Sequence, residues 1–198
     1  MLPGTMTRAN REAWKPSREE IAAAYGRTVP DLMRKGLRVL FVGINPSLYS
    51  GAVGHHFARP GNRFWKALHG AGFTERVLSP FEERELLASG MGITNLVERS
   101  TASAAELAPA ELEEGGRRLL AKLRRSRPGI VAVVGVAAYR QAFGEPAAAI
   151  GSQREPVGAS AAWVLPNPSG LNAHYQLPDL VAAFDALRAE VDRRLSRG

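Results

Sequence analysis

The chain of 198 residues contains no cysteine. Disulfides, thiolate metal sites and a cysteine nucleophile are therefore excluded, and a reducing compartment fits the composition. No segment approaches the roughly 18 consecutive apolar residues of a transmembrane helix. The N-terminal region is charged and has no apolar stretch typical of a signal peptide. We expect a cytoplasmic protein that has no membrane partner.

Acidic residues and lysine are both scarce. The chain has 19 Asp and Glu against 26 Lys and Arg, a formal net charge of +7, and only 4 of the 26 basic residues are Lys. This excess of positive charge favours a polyanionic partner such as nucleic acid. Arginine suits phosphate and stacking contacts, although the base composition of a genome can produce the same bias.

Apolar runs that alternate with helical patterns indicate an α/β protein. Residues 1–16 combine Pro, Gly and basic residues without apolar periodicity, which predicts a mobile basic arm before a single domain over 17–198. We expect strands at 39–44, 91–97, 129–135 and 161–166, helices at 17–25, 60–72, 79–88, 109–125, 137–143 and 177–195, and a loop or edge hairpin at 144–160. This order predicts a three-layer α/β/α sandwich around a mainly parallel sheet of about four or five strands.

The tripeptide Asn-Pro-Ser occurs at 45–47 and again at 167–169, each time directly after an apolar run. If both runs are parallel strands, both tripeptides emerge at the carboxyl edge of the sheet, where open α/β sheets bind ligands. In one interpretation, Asn45 caps an ordinary turn stiffened by Pro46. In the other, its amide holds a water by donating and accepting hydrogen bonds, without any acid or base strength.

The segment from Gly54 to Trp65 carries two adjacent histidines and several aromatic rings. Neighbouring histidines on an extended segment point apart, and no further ligand completes a shell, so we expect no metal. Phe64 and Trp65 fit the core face of a helix. Phe57, in a Gly- and Pro-rich loop, is either a core residue or a stacking platform for a base, a contact worth about 1–3 kcal/mol.

The second Asn-Pro-Ser leads into Gly170-Leu171-Asn172-Ala173-His174. Leu171 stands among small and polar residues. It is either an incidental apolar residue in a turn or a wedge that enters a base stack.

Several motifs follow one another in a fixed order: Gly-Ile-Asn-Pro at 43–46, the loop to Phe57, Pro-Gly-Asn-Arg-Phe-Trp-Lys at 60–66, Gly-Ile-Thr-Asn-Leu-Val-Glu-Arg at 92–99, Glu-Gly-Gly-Arg at 114–117 and Leu-Pro-Asn-Pro-Ser-Gly-Leu at 165–171. In this order they resemble the mismatch-specific uracil-DNA glycosylases and thymine-DNA glycosylases, a family of the uracil-DNA glycosylase superfamily. The resemblance covers roughly 38–190 and implies the uracil-DNA glycosylase-like sandwich.

The resemblance implies a role for each residue of a base pocket. Asn45 matches the catalytic asparagine that positions the hydrolytic water, and Phe57 matches the ring that stacks on the flipped base. The backbone around Ile44 and Phe57 would hold the uracil carbonyls and ring nitrogen. Ser50 falls beside C5 of the pyrimidine, where its hydroxyl leaves less room for a methyl group than alanine does. Asn95 matches a variable position at the pocket edge.

The same resemblance implies a DNA-binding loop formed by Asn167, Ser169, Gly170, Leu171, Asn172 and His174. Leu171 would fill the space left by the flipped base, and the Gly170 backbone would face the widowed guanine. Two residues depart from the family pattern. Ser47 replaces a usual Gly and either crowds or supplements a backbone contact, and Ala173 replaces a frequent Arg, whose contact Asn172 or His174 would have to supply.

The expected activity is hydrolysis of the N-glycosidic bond of uracil, preferably opposite guanine, to leave an abasic site and initiate base excision repair. The four lysines lie outside both Asn-Pro turns, which predicts a monofunctional enzyme rather than a glycosylase-lyase. We expect no cofactor, no metal and a monomer bound to double-stranded DNA with G·U or related mismatched or damaged pyrimidines. When it is bound to DNA, the cytoplasmic protein would be associated with the nucleoid. One alternative is a non-catalytic nucleic-acid-binding α/β module. Another is a nucleotide-binding Rossmann-type enzyme, but no Gly-x-Gly-x-x-Gly motif follows the first predicted strand of this chain.

Overall fold

The computed structural model describes residues 15–196. Its sheet contains β1 (Val39–Gly43), β2 (Met91–Asn95), β3 (Ile130–Val134), β4 (Gly151–Ser152) and β5 (Ala161–Leu165). The strand order is β2-β1-β3-β5-β4, with β4 antiparallel to β5 and all other pairs parallel. The basic arm predicted at 1–16 lies almost entirely outside the described residues.

The helices are α1 (Arg18–Ala22), α2 (Leu48–Val53), α3 (Phe64–Gly70), α4 (Glu85–Ala88), α5 (Pro109–Ser126), α6 (Val136–Phe143) and α7 (Leu177–Leu195), with short 3-10 helices at Pro80–Glu82 and Ala104–Glu106. Between residues 15 and 196, no helix is both long and apolar enough to cross a membrane.

Side chains that alternate along β1 build two hydrophobic layers. Phe41 points to one face, where its ring lies 5.4 Å from that of Phe64 on α3 and 6.0 Å from that of Phe184 on α7. Leu40 belongs to the opposite layer, which packs against α5 and α6. Because a strand turns successive side chains to opposite faces, a fully apolar strand must be covered on both sides. The predicted three-layer α/β/α sandwich is confirmed.

Two helical predictions need correction, and one helix was not predicted. The helix predicted from residue 60 begins only at Phe64, because Gly61 has a φ of +84° that no α-helix contains. The helix predicted over 79–88 is divided into the 3-10 turn and α4, which begins after Arg84. Helix α2 was not predicted: Ser47 is its N-cap and accepts a hydrogen bond from the Ser50 N–H.

Parallel pairing brings the carboxyl ends of four strands to one edge. Gly43 lies opposite Asn95, and Val134 lies opposite Leu165. The two Asn-Pro-Ser segments therefore leave the sheet at the same edge, as predicted. The strand that follows β1 in the chain, β2, lies on one side of it in the sheet, whereas the strands that follow β3 lie on the opposite side. In α/β proteins, this reversal of strand order between two neighbouring strands opens a crevice for a ligand.

Candidate active site

A cavity of about 300 Å³ opens at this edge of the sheet. It brings together most of the predicted site residues, namely Ile44, Asn45, Ser47, Ser50, Phe57, Asn95, Asn167, Ser169, Leu171 and Asn172. Gly170 and His174, both predicted to contact DNA, are exposed on the loop outside the cavity lining.

The amide of Asn45 has a defined orientation. Its Nδ2 donates to the Arg99 carbonyl oxygen at 3.0 Å and to Thr101 Oγ1 at 2.7 Å. A carbonyl oxygen can only accept, and the Thr101 hydroxyl donates onward to the Ser103 carbonyl at 2.8 Å, so Nδ2 must be the donor in both contacts. No described residue donates to Asn45 Oδ1. The amide therefore presents its carbonyl oxygen as the free acceptor in the cavity.

Backbone pairing beyond the strand ends places Thr101 beside Asn45. The Val97 N–H donates to the Ile44 carbonyl at 2.9 Å, which extends the pairing of β1 with β2. Farther along, the Thr101 N–H donates to the Pro46 carbonyl and the Leu48 N–H donates to the Thr101 carbonyl, both at 3.1 Å. The segment after β2 thus runs alongside the Asn-Pro-Ser turn and supplies its hydrogen-bond partners.

The Phe57 ring forms one wall of the cavity. It stacks on Phe64 with a centroid distance of 4.0 Å and an interplanar angle of 15°. Its backbone adopts a φ of +51°, a left-handed conformation that costs conformational energy in residues other than Gly. The ring also lies next to Gly43, where an added Cβ would be in ordinary van der Waals contact with Phe57 Cζ at 3.4 Å. The Phe57 N–H has no hydrogen-bond partner among the described residues.

Asn95, at the end of β2, is paired with Gly43 of β1 in the sheet. A Cβ on Gly43 would lie only 2.4 Å from Asn95 Oδ1, so the position of this amide requires a glycine at the end of β1. The residue is 7% exposed, and no described residue hydrogen-bonds its side-chain amide. A buried amide without a protein partner in a cavity wall suits a polar ligand that both donates and accepts.

Ser47 and Ser50 stabilise the turn and the loop around the cavity. Ser50 Oγ accepts a hydrogen bond from the Ala58 N–H at 3.1 Å and lies 3.2 Å from Ser47 Oγ. Ser47 uses its side chain to cap α2. The Ser50 hydroxyl therefore holds the loop that carries Phe57, in addition to bordering the cavity.

Glu83 anchors that loop from the other side. Its carboxylate accepts from the His55 ring nitrogen Nδ1 at 2.9 Å, from His56 Nδ1 at 3.0 Å and from the His56 N–H at 2.9 Å. Burial would raise the pKa of Glu83, but the hydrogen bonds from both histidines and the charge of His56 outweigh it and lower the pKa to about 2. The two histidines thus both donate hydrogen bonds to the Glu83 carboxylate. Residues 15–196 contain no group of three or more His, Cys, Asp or Glu side chains suited to a metal.

The second Asn-Pro-Ser builds a protruding turn. Asn167 Oδ1 accepts from the Ser169 N–H at 3.0 Å, and Ser169 Oγ accepts from the Leu171 N–H at 3.3 Å. The Asn172 side chain closes the turn by donating to the Asn167 carbonyl at 2.9 Å. Leu171 stands at the tip and is 73% exposed.

The cavity walls carry little charge. Arg59 and His56 are the ionisable members of the lining, and none of the described lining residues is Asp, Glu or Lys. The site therefore offers amides, hydroxyls and backbone groups without a carboxylate base.

A family model described as the uracil DNA glycosylase superfamily matches residues 30–190. The match covers most of the chain and includes every described strand and all residues that line the cavity except Val29. The chain belongs to the uracil DNA glycosylase superfamily. Members of the superfamily are DNA glycosylases, hydrolases that act on N-glycosyl bonds, which makes DNA the partner of the positively charged surface.

Sequence reasoning missed four residues that shape this glycosylase site: Thr101, His56, Glu83 and Arg63. Thr101 lies two residues beyond the motif at 92–99, so an extended motif could have included it. His56 was considered only as a metal ligand. Glu83 was assigned to the first turn of a helix, and no local pattern indicates that it reaches a loop 27 residues away. Arg63 lies inside a recognised motif whose partner is distant in sequence.

Replacing Glu83 by Gln should make the free energy of unfolding less dependent on pH in the acidic range below about pH 4.5. Because the pKa falls from 4.5 to about 2 on folding, ionised Glu83 stabilises the fold by at most about 3 kcal/mol. This contribution is complete above the unfolded-state pKa of 4.5 and disappears as pH falls through about 2. Urea unfolding at several pH values should therefore show a difference between wild type and Glu83→Gln that shrinks steadily below about pH 4.5.

The exposed Glu75 provides a control, since Glu75→Gln should leave the same profile unchanged. A difference between wild type and Glu83→Gln that stays constant down to about pH 2.5 would contradict the pairing of Glu83 with the histidines.

Proposed function

We propose that this chain is a monofunctional DNA glycosylase of the mismatch-specific and thymine-DNA glycosylase type. It flips uracil, preferably from a pair with guanine, out of duplex DNA and hydrolyses its N-glycosidic bond, leaving an abasic site for base excision repair. The observation that supports this proposal best is the Asn45 carbonyl oxygen, oriented and free in a cavity that lacks a carboxylate base.

The cavity matches a single flipped base. Its volume of about 300 Å³ lies at the lower end of small-molecule sites. Phe57 offers an aromatic face for stacking, and the unpaired Phe57 N–H and the Asn95 amide offer hydrogen bonds to a base edge. A base inside a duplex is out of reach, so the enzyme must extrude it at a cost of a few kcal/mol, less where it is mispaired.

The lack of a carboxylate base in the described cavity walls favours a reaction in which the bond breaks before water arrives. Asn45 cannot deprotonate water, so the N1–C1′ bond breaks first and its electron pair leaves with N1 of the base. The resulting uracil anion is stabilised by donors such as the Phe57 N–H. The Asn45 Oδ1 accepts a hydrogen bond from a water whose oxygen then bonds to C1′ of the oxocarbenium-like sugar. The proton that this water loses passes to the base or to solvent.

Among residues 15–196, no amine lies in the cavity to carry a lyase step. A glycosylase-lyase needs an amine nucleophile at the reacting carbon, and no described lysine lines the cavity. Lys122 is held by ion pairs with Asp31 at 2.8 Å and Glu98 at 3.0 Å, and Lys66 is exposed on α3. The product is therefore an intact abasic site.

The preference for uracil over thymine rests on Ser50. Its hydroxyl is fixed by the Ala58 N–H and by Ser47 Oγ, so it cannot swing aside to make room for a methyl group at C5. Asn95, whose amide can present either its donor or its acceptor end, would tune which base edges are accepted.

Asn45→Ala should lower the single-turnover excision of uracil from a G·U duplex by about 100-fold or more, because misplacing the water removes its near-attack geometry. Abasic sites are revealed by alkaline cleavage of the DNA. Asn167→Ala provides the matched control in the second Asn-Pro-Ser copy and should retain excision from single-stranded DNA. The absence of cleavage by wild type, or equal cleavage by Asn45→Ala, would favour a non-catalytic DNA-binding module.

Thr101→Val should lower the rate of the chemical step about fivefold while leaving the apparent substrate affinity unchanged, because one hydrogen bond that orients the Asn45 amide disappears. Thr101→Ser keeps an oxygen at the same position and should retain the wild-type rate. If Thr101→Ser loses as much activity as Thr101→Val, packing of the methyl group and not the hydrogen bond would be responsible.

Ser50→Ala should raise the ratio of G·T to G·U excision rates, since the hydroxyl no longer restricts the space near C5. Both absolute rates should fall, because the Ala58 N–H loses its acceptor and the Phe57 loop loosens. The measurement compares the two duplexes under single-turnover conditions, and an unchanged ratio would remove Ser50 from the selectivity of the enzyme.

A further inference from the structure

The Arg63 guanidinium lies under the protruding turn that carries Leu171. Its Nη2 donates to the Ser169 carbonyl at 2.6 Å and to the Asn172 carbonyl at 2.9 Å, and its Nη1 donates to the Tyr175 carbonyl at 2.6 Å. The Arg63 backbone N–H adds a hydrogen bond to the Pro168 carbonyl at 3.0 Å. One residue thus satisfies four carbonyls distributed over the whole turn.

These contacts engage both terminal nitrogens of the Arg63 guanidinium. Its backbone is the N-cap of α3, yet its side chain makes no capping hydrogen bond and reaches instead to a segment more than 100 residues away. Among the described residues, no carboxylate forms an ion pair with Arg63. Its planar fork matches several carbonyls at once, which the single ammonium of a lysine cannot do.

Tyr175 packs against the core, but apart from the contacts of Arg63 the turn makes no hydrogen bond to described residues outside residues 165–176. Its remaining hydrogen bonds are local, such as those that link Asn167, Ser169 and Asn172 to one another. Gly170 approaches the backbone of the preceding motif so closely that a Cβ there would lie 2.7 Å from the Gly61 carbonyl oxygen. Local hydrogen bonds set the shape of the turn, whereas Arg63 sets where the turn stands relative to the cavity.

We propose that Arg63 is the positioning residue that holds residues 167–175 ready to enter the duplex, so that Leu171 arrives at the base stack without a prior rearrangement. This inference rests on the proposed function. Holding the loop in its active conformation reduces the entropy lost when Leu171 inserts. Excision from single strands needs no wedge and depends on cavity residues outside the turn, such as Asn45, Phe57 and Asn95.

The test measures single-turnover uracil excision from a G·U duplex and from the same strand without its complement. Arg63→Met and Arg63→Lys should both lower the duplex rate about tenfold or more, because two or more charge-assisted hydrogen bonds are lost. Single-strand rates should stay within about twofold. Since Arg63 acts through Leu171, adding Arg63→Met to Leu171→Ala should cause no further loss on the duplex.

The experiment must distinguish an effect of the positive charge of Arg63 on DNA from an effect of its hydrogen bonds to the turn. If Arg63 contacted a phosphate, Arg63→Lys would restore activity, and Arg63→Met would reduce the slope of log affinity against log salt by about 0.9. The proposal expects neither result. Arg59, exposed at the cavity rim, is the charge-matched control. Arg59→Met should weaken binding of duplex and single strand alike, without the selective loss on the duplex.

Hydrogen exchange gives a readout that does not depend on catalysis. The amides of Ser169, Leu171, Asn172 and His174 are hydrogen-bonded within the turn. They should exchange faster in Arg63→Met and Arg63→Lys but not in Arg59→Met. Unchanged exchange, equal loss on both substrates, or rescue by lysine would each overturn the role of Arg63. Absence of excision by wild type would instead reject the proposed function, and exchange would still decide whether Arg63 holds the loop.

Discussion

The register between β1 and β2 is the constraint on which the rest of the site depends. It continues past both strand ends until Thr101 runs alongside Ser47 in a parallel bridge. Only in this register does Thr101 Oγ1 lie 2.7 Å from Asn45 Nδ2. A slip of one residue would move every side chain to the opposite face of the sheet, so the packing of both hydrophobic layers protects the register. The stability of the core thereby fixes the orientation of a single amide at the edge.

Charged side chains stabilise the two loops that the register does not reach. Glu83 accepts from the backbone and ring of His56, and Arg63 donates to carbonyls along the turn that carries Leu171. Loops at a cavity rim expose backbone groups that must find partners. A single carboxylate has several lone pairs and a single guanidinium has several N–H donors, so each can hydrogen-bond several polar groups of a loop from one side. The opposite side of that loop stays open for a ligand.

The elements that the sequence predicted well are those whose signal is local. Continuous apolar runs indicated every parallel strand, and amphipathic spacing indicated α5 and α7, because burial on one or both faces determines those patterns. The helix after Ser47 was missed because six residues are too few to show a helical period. Glu83 and Arg63 could not have been assigned, since their partners lie 27 and 106 residues away and neither end carries a pattern that depends on the other.

The two Asn-Pro-Ser copies show how the fold separates identical sequences. In the first, the amide nitrogen of Asn45 is held by the Arg99 carbonyl and Thr101, so the carbonyl oxygen remains free. In the second, the carbonyl oxygen of Asn167 is occupied by the Ser169 N–H. A reaction that needs an acceptor for water can use the first amide but not the second. The difference lies in the neighbouring strand: the segment that follows β2 runs beside the first turn and accepts hydrogen bonds from the Asn45 amide nitrogen, whereas the turn after β5 satisfies its amide from within.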